Sequence, residues 1–324
     1  MVKASYLAGI VLAASIVAAT GAEYELGCPI TPFATGTVRQ AIDDVCGNTG
    51  DSNAASPKGK QNLVKNNLCS SGDPRTLSLS DFMSLQSQAA AMHIPFGADG
   101  FGPDRVEHLP ENRAPLSSGQ FRVNDQPIRE GDLVRTVAFV DDPHAADLGS
   151  GEDVNCHQPD AAGNDIHINL VETPAPPKPL RTDSDEVKQQ KREARKAALC
   201  KAIVAEMIPH FRPDAFDPVF LAAIAKQKLP VRISGQLFFD ASHRPCNDDG
   251  PQDSSVRGSL WEIHPIYTLD VCKNGTLQQC PADSEAVWTS LQEWATMNAV
   301  SASTMRAEME LEDDEDRKGE HEGE

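Results

Sequence analysis

Three short motifs in the second half of the chain set a carboxylate beside a histidine: Asp165-Ile166-His167, Asp240-Ala241-Ser242-His243 and Glu262-Ile263-His264. Residues two apart on a strand share a face of the sheet. Asp165, His167 and Asn169 therefore lie opposite Ile166, Ile168 and Leu170, and Glu262 and His264 lie opposite Trp261 and Ile263. Arg232, Ser234, Gln236 and Asp240 oppose Val231, Ile233, Leu237 and Phe239 in the same way. Oxygen and imidazole donors in this mixture suit a divalent transition metal such as zinc, iron, manganese or nickel. A carboxylate beside an imidazole also fixes its tautomer and raises its basicity for acid–base work. The candidate metal ligands are Asp165, His167, Asp240, His243, Glu262 and His264. A solvated outer face of a barrel would accommodate the same residues, although the repetition of histidine beside carboxylates on two strands weighs against that reading. His93, His108, His144, His157 and His210 have no comparable setting and read as surface or loop histidines.

These motifs sit on β-type segments, Leu133 to Val140, Asp165 to Val171, Lys201 to Ile208, Val231 to Asp240 and Ser259 to Val271. Between the third and fourth, Phe216, Val219, Phe220, Ala223 and Ile224 form a helical stripe over Pro213 to Lys226. The order β-β-β-α-β-β predicts a mainly β protein with an OB-like five-stranded barrel over residues 129–280. An insertion at 173–198 interrupts it, Pro-rich at first and then charged over Asp183 to Ala198. Its basic residues lack the interleaved aromatics that stack bases. Residues 281–305 predict a C-terminal helix carrying Val287, Trp288, Leu291 and Trp294. Residues 306–324, with ten acidic residues against three basic ones, predict a disordered tail.

Residues 1–22 read as a cleavable signal peptide: Lys3, the apolar run Tyr6 to Ala19, then small residues Thr20-Gly21-Ala22. The run falls short of the roughly 20 residues of a membrane-spanning helix, so no transmembrane segment is expected once the signal is removed. All eight cysteines lie downstream, none as Cys-x-x-Cys, which points to structural disulfides in an oxidising compartment and leaves the pairing open. Residues 23–128 form a cysteine-containing, largely irregular region with one helix predicted over Thr76 to Met92, opening at Ser78 or Ser80 with Asp81. Gly97 to Gly102 lacks the Lys-Ser/Thr of a phosphate loop and reads as a turn-rich loop. An aromatic content of 5% argues against a large hydrophobic core, and a net charge of −19 disfavours nucleic acid as a partner.

The succession Val154-Asn155-Cys156, Asn164-Asp165-Ile166-His167, Ala205-Glu206-Met207-Ile208-Pro209, Ser234 to His243 and Trp261-Glu262-Ile263-His264-Pro265 resembles a group of exported, mostly bacterial proteins with an OB-like barrel and no assigned activity. The resemblance covers about Val154 to Val271, implies a periplasmic or secreted setting and transfers no catalytic residue. Signatures of serine hydrolases, zincins, Walker loops and dinucleotide folds are missing. The expectation is an exported binding module whose polar face holds an unknown ligand or a metal. The alternatives are a metal-dependent hydrolase and a structural envelope protein.

Overall fold

Ahead of the barrel, polar and small residues build a series of short elements: α1 (Pro57–Lys65), β1 (Arg75–Thr76), α2 (Leu79–Ala91), β2 (Ala98–Asp99), β3 (Val106–Glu107), α3 (Ala114–Ser117), β4 (Phe121–Val123) and β5 (Gln126–Ile128). The computed structural model describes residues 38–298 except 101–104, 147, 248, 251 and 253–255, so the expected signal peptide and acidic tail lie outside the described residues. Helix α2 starts where the sequence places it. Ser78 caps the Asp81 backbone N–H, and the Asp81 side chain returns the bond to the backbone of Ser78, which satisfies two of the free donors at a helix start.

The barrel follows, with β6 (Leu133–Ala145), β7 (Ile166–Val171), α4 (Asp185–Leu199), β8 (Ile203–Met207), α5 (Pro218–Gln227), β9 (Pro230–Phe239) and β10 (Trp261–Cys272). Neighbouring strands run β6-β7-β8-β10-β9, and β9 pairs back onto β6 to close the cylinder. All contacts are antiparallel except β8 with β10. This is the OB arrangement that the element order predicts, with α5 between the third and fourth strands. Asp217 caps α5 by accepting from the Val219 N–H at 2.8 Å, and Pro218 holds its first turn.

Apolar residues of one strand face, including Ile166, Ile168, Leu170, Ile203, Met207, Val231, Ile233 and Ile263, form one continuous buried core with Leu221 and Ile224 of α5 and Phe82 and Leu85 of α2. The core is larger than the low aromatic content suggested. Aliphatic side chains fill most of it, and the few rings are concentrated: Trp261 packs edge-on against Phe121 and Phe239, with centroids 4.8 and 5.2 Å apart.

Gly235 marks a position where β9 has no room for a side chain. A Cβ there would lie 2.3 Å from the Pro265 carbonyl oxygen, because β10 shifts register between Ile263 and Ile266. His264 lies within this irregular stretch.

The expected C-terminal helix is only partly formed. Glu285–Val287 is a single 3-10 turn, Trp288–Ser290 is strand β11 paired antiparallel with the end of β10, and helix occupies residues 291–298. The run Val287-Trp288-Thr289 is β-branched and aromatic, so it adds to the edge of β10. The Cys272–Cys280 disulfide turns the chain back there, and Trp288 packs under the Arg232 guanidinium. Two further disulfides tie loops together: Cys46–Cys156 joins the N-terminal region to the β6–β7 loop, and Cys200–Cys246 joins the end of α4 to the β9–β10 loop. No described helix is long and apolar enough to cross a membrane.

Candidate metal centre beneath a pocket

Strand register brings the carboxylate–histidine motifs together. His167 on β7 stands opposite Glu206 on β8. Ala205 of β8 aligns with Ile263 of β10, so Glu262 and His264 flank Glu206. Asp240 leaves the end of β9 with its N–H bonded to the Leu260 carbonyl. Four adjacent strands thus contribute to one patch on the outer face of the barrel.

That face is not wetted, contrary to the solvated-face reading. Asp165, Glu206, Asp240, Glu262 and His264 are each 0% exposed. The cover is α1, whose polar side faces the barrel: Gln61 donates to Asp240 at 3.1 Å, and the Lys65 ammonium lies 3.9 Å from Glu206 and 3.8 Å from Asp240. Gln236 pins the helix by donating to the Val64 carbonyl at 2.7 Å. The N-terminal region therefore forms the roof of the site.

Above the patch opens a cavity of about 610 Å³, walled by Lys58, Lys65, Arg105, Glu152, His167 and His243 among others. Glu152 belongs to the β6–β7 loop, which the Cys46–Cys156 disulfide anchors to the N-terminal region. His243 belongs to the β9–β10 loop. These two loops and the β7–β8 face are the parts of an OB barrel that contact ligands.

Three sets of side chains place ligand atoms within 4.8 Å of one another and could hold a metal ion: Glu152, Asp165 and His167; Asp165, Glu206 and His264; and Glu206, Asp240 and Glu262. Five of the six residues expected from the sequence fall into these sets. His243 does not; it stands at the pocket wall, half-buried, 3.7 Å from Asp240. Sequence reading missed Glu206, Glu152, Lys65 and Arg257. Glu206 left a trace, as the lone charge in the apolar run Ile203-Val204-Ala205-Glu206-Met207. Four histidines assigned to the surface or loops also have partners: His144 pairs with His167 across the strands, ring centroids 5.7 Å apart, His210 is buried against Asp43 at 2.8 Å, and the exposed His108 and His157 lie 2.8 and 3.8 Å from Asp99 and Asp51.

Electrostatics within the patch follow from burial and from the few cations available. Arg257 is fully buried, reaches Glu262 and lies 3.9 Å from Asp240. Burial opposes ionisation of Asp240, yet Lys65, His243 and Arg257 outweigh it and hold the carboxyl well below the usual range. The same contest depresses Glu206 through His167, Lys65 and His264. Asp165 goes the other way: burial, reinforced by Glu152, pushes it up to about 8. Burial would lower His264, but the Glu206 carboxylate 2.9 Å away raises it to about 10. Burial thus favours the protonated form of Asp165 and neighbouring charge that of His264, and burial raises Glu262 as well, against the pull of Arg257.

Comparison of the chain with protein-family models, with characterised proteins and with solved structures yields no match.

Proposed function

We propose that the protein is an exported OB-barrel binding protein that holds a divalent transition-metal ion on Asp165, Glu206 and His264 and presents it to a small ligand in the pocket above. The observation that carries this reading is a concentration of orphaned ligand atoms. Both oxygens of Asp165, both oxygens of Glu206 and both ring nitrogens of His264 are buried without a hydrogen-bond partner among the described residues. Each such group costs about 1–3 kcal/mol, and one ligand atom of each residue lies within 4.8 Å of the other two. The 2.9 Å approach of His264 Nδ1 to Glu206 Oε2 lacks hydrogen-bond geometry, which fits two donors aimed at a third body. Charge points the same way. With Asp165 ionised and His264 neutral, Asp165, Glu206, Asp240 and Glu262 are four buried carboxylates facing two fixed cations, Lys65 and Arg257, and a divalent ion takes the place of the protons those two groups favour in its absence.

A second reading, a metal-dependent hydrolase, is favoured by the convergence of all three motifs beneath an open pocket. His243, backed by Asp240, stands where a proton donor or acceptor for a bound ligand would be needed. Elemental analysis of mature protein purified without an affinity metal column tests the first reading. Metal at one equivalent or more, lost in His264→Ala with the fold retained by circular dichroism, supports it. Metal-free protein whose melting temperature ignores added Zn(II), Mn(II) and Fe(II) refutes it. Ester or phosphoester hydrolysis that is abolished by chelation and restored by metal would select the hydrolase.

A further inference from the structure

The orphaned atoms outnumber what one ion can take. An ion on Asp165, Glu206 and His264 uses one oxygen of each carboxylate. Besides one ring nitrogen of His264 and, in the third set, Asp240 Oδ2 and Glu262 Oε2, it leaves the second oxygen of Asp165, Glu206 Oε1 and His167 Nε2 without hydrogen-bond partners among the described residues. These remaining atoms are not scattered. Glu206 turns Oε2 toward His264 Nδ1 at 2.9 Å and Oε1 toward His167 Nε2 at 3.4 Å, so its two oxygens address two different imidazoles. Asp165 belongs both to the set with His264 and to the set with His167 and Glu152.

We infer that the centre holds two divalent cations: an inner one on Asp165, Glu206 and His264, and an outer one on Glu152, Asp165 and His167, with Asp165 and Glu206 as bridging carboxylates. This deepens the metal reading above and rests on it. Carboxylate bridges of this kind hold two metals about 3.5–4 Å apart.

The third set, Glu206, Asp240 and Glu262, takes no ion, because protein cations already fill that role. Lys65 lies 3.9 Å from Glu206 and 3.8 Å from Asp240, and Arg257 engages Glu262 and Asp240. Among the described residues no Lys or Arg forms an ion pair within 4.0 Å of Glu152 or Asp165; Lys65 acts on both, and Arg212 on Asp165, only as more distant charges. Glu152 faces Asp165 as one carboxylate facing another, with His167 as the third donor. Glu152 and His167 also line the cavity, so the outer ion alone would meet a ligand directly, while the inner ion lies beneath fully buried side chains.

Glu152 is built to stay in place. Its backbone N–H donates to Asn164 Oδ1 at 3.3 Å, its carboxylate accepts from Asn155 Nδ2 at 3.4 Å, and the Cys46–Cys156 bridge lies four residues on. Asn164 precedes Asp165 in the chain, so one short segment links the outer ligand to the bridging one.

The test is Mn(II) and Zn(II) stoichiometry of the full mature chain by equilibrium dialysis, for wild type, Glu152→Gln and His167→Ala, with electron paramagnetic resonance of the Mn(II) form. The expected result is two ions in the wild type, spin-coupled as a pair, and one uncoupled ion in each variant. Because Glu152 and His167 are only half-buried, both variants should keep the wild-type near-ultraviolet spectrum, and Glu152→Gln preserves shape should His167→Ala fail to fold. One ion in the wild type overturns the two-ion inference and leaves the metal reading standing. Two uncoupled ions, or two ions retained in Glu152→Gln, also overturn it. No bound ion refutes the metal reading itself.

Discussion

Replacing Asp165 by Asn should stabilise the metal-free protein and weaken its response to metal, two effects of opposite sign from one substitution. The Asp165 carboxyl is raised to about 8 by burial and by Glu152, from an ordinary value of 3.8. A group raised on folding contributes stability in acid that is lost as pH climbs from the unfolded value through the folded one. Between pH 5 and pH 7 the unfolded chain releases this proton while the folded chain keeps it. Each pH unit therefore costs about 1.4 kcal/mol, or about 3 kcal/mol across the interval. Asn carries no proton to release, so its stability advantage over wild type should grow by about 3 kcal/mol from pH 5 to pH 7. Urea denaturation of chelator-treated protein at both pH values measures this directly, since a constant m-value isolates the change in stability. Saturating Zn(II) at pH 7 should then raise the wild-type midpoint more than that of the variant. An advantage that stays flat with pH would show that Asp165 is ionised in the folded metal-free state. An equal response of both proteins to Zn(II) would remove Asp165 from the metal set.

Metal affinity should rise steeply with pH. Below about pH 8 the ion displaces a proton from Asp165 and one from His264, raised to about 10, so calorimetry in buffers of different ionisation enthalpy should show release of about two protons. Glu206→Gln should destabilise the apoprotein by about 3–5 kcal/mol in urea, because Lys65 and His264 would lose their shared buried anion. Cys46→Ser with Cys156→Ser opens a bridge spanning 110 residues and should cost about 4–5 kcal/mol of stability, together with a measurable drop in metal affinity as the Glu152 loop loosens. Gly235→Ala should lower the melting temperature even though it adds one methyl group, since that group meets the Pro265 carbonyl; an unchanged melting temperature would mean the β10 irregularity is soft.

The barrel was legible because three of its strands, β7, β9 and the start of β10, alternate apolar and polar residues. Ile166, Ile168 and Leu170 against Asp165, His167 and Asn169 specify a face by period alone, and the core residues found there match that face. The roof was not legible. Helix α1 has few apolar residues, and its inward side carries Gln61, Asn62 and Lys65, the reverse of the pattern by which a packed helix announces itself. Only a polar barrel face makes a polar helix face complementary, and no local pattern in residues 57–65 encodes that partner. Glu206 stayed hidden for a related reason: on its own strand it has no histidine two residues away, and it joins His167 and His264 only through the pairing of β8 with β7 and β10. Trp288 was placed on a helix because its spacing to Leu291 fits one, and the edge of β10 outweighed that preference.

The roof also bears on which class of ligand the proposed binding site would admit. An OB barrel that binds a polymer lays it across the β-strand face between the two ligand-contacting loops. Here Gln61, Val64 and Lys65 of α1 cover the β8–β9 side of that surface, held down by direct hydrogen bonds to Gln236 and Asp240, while His167, Asn169 and Val204 of β7 and β8 line the opening that remains. What remains open is a cavity of about 610 Å³, within the range of small-molecule sites. A chain threading the cleft would have to displace a helix whose lysine neutralises two buried carboxylates, and leaving buried ions unpaired costs about 3–5 kcal/mol. The same ion pairs that close the polymer route organise the proposed metal ligands beneath them. Lys65→Met therefore separates two roles: it should weaken the attachment of α1 and also disturb the charge balance at Glu206 and Asp240. A variant that opens the roof yet binds metal with wild-type affinity and proton release would show that the centre is organised by the strands alone.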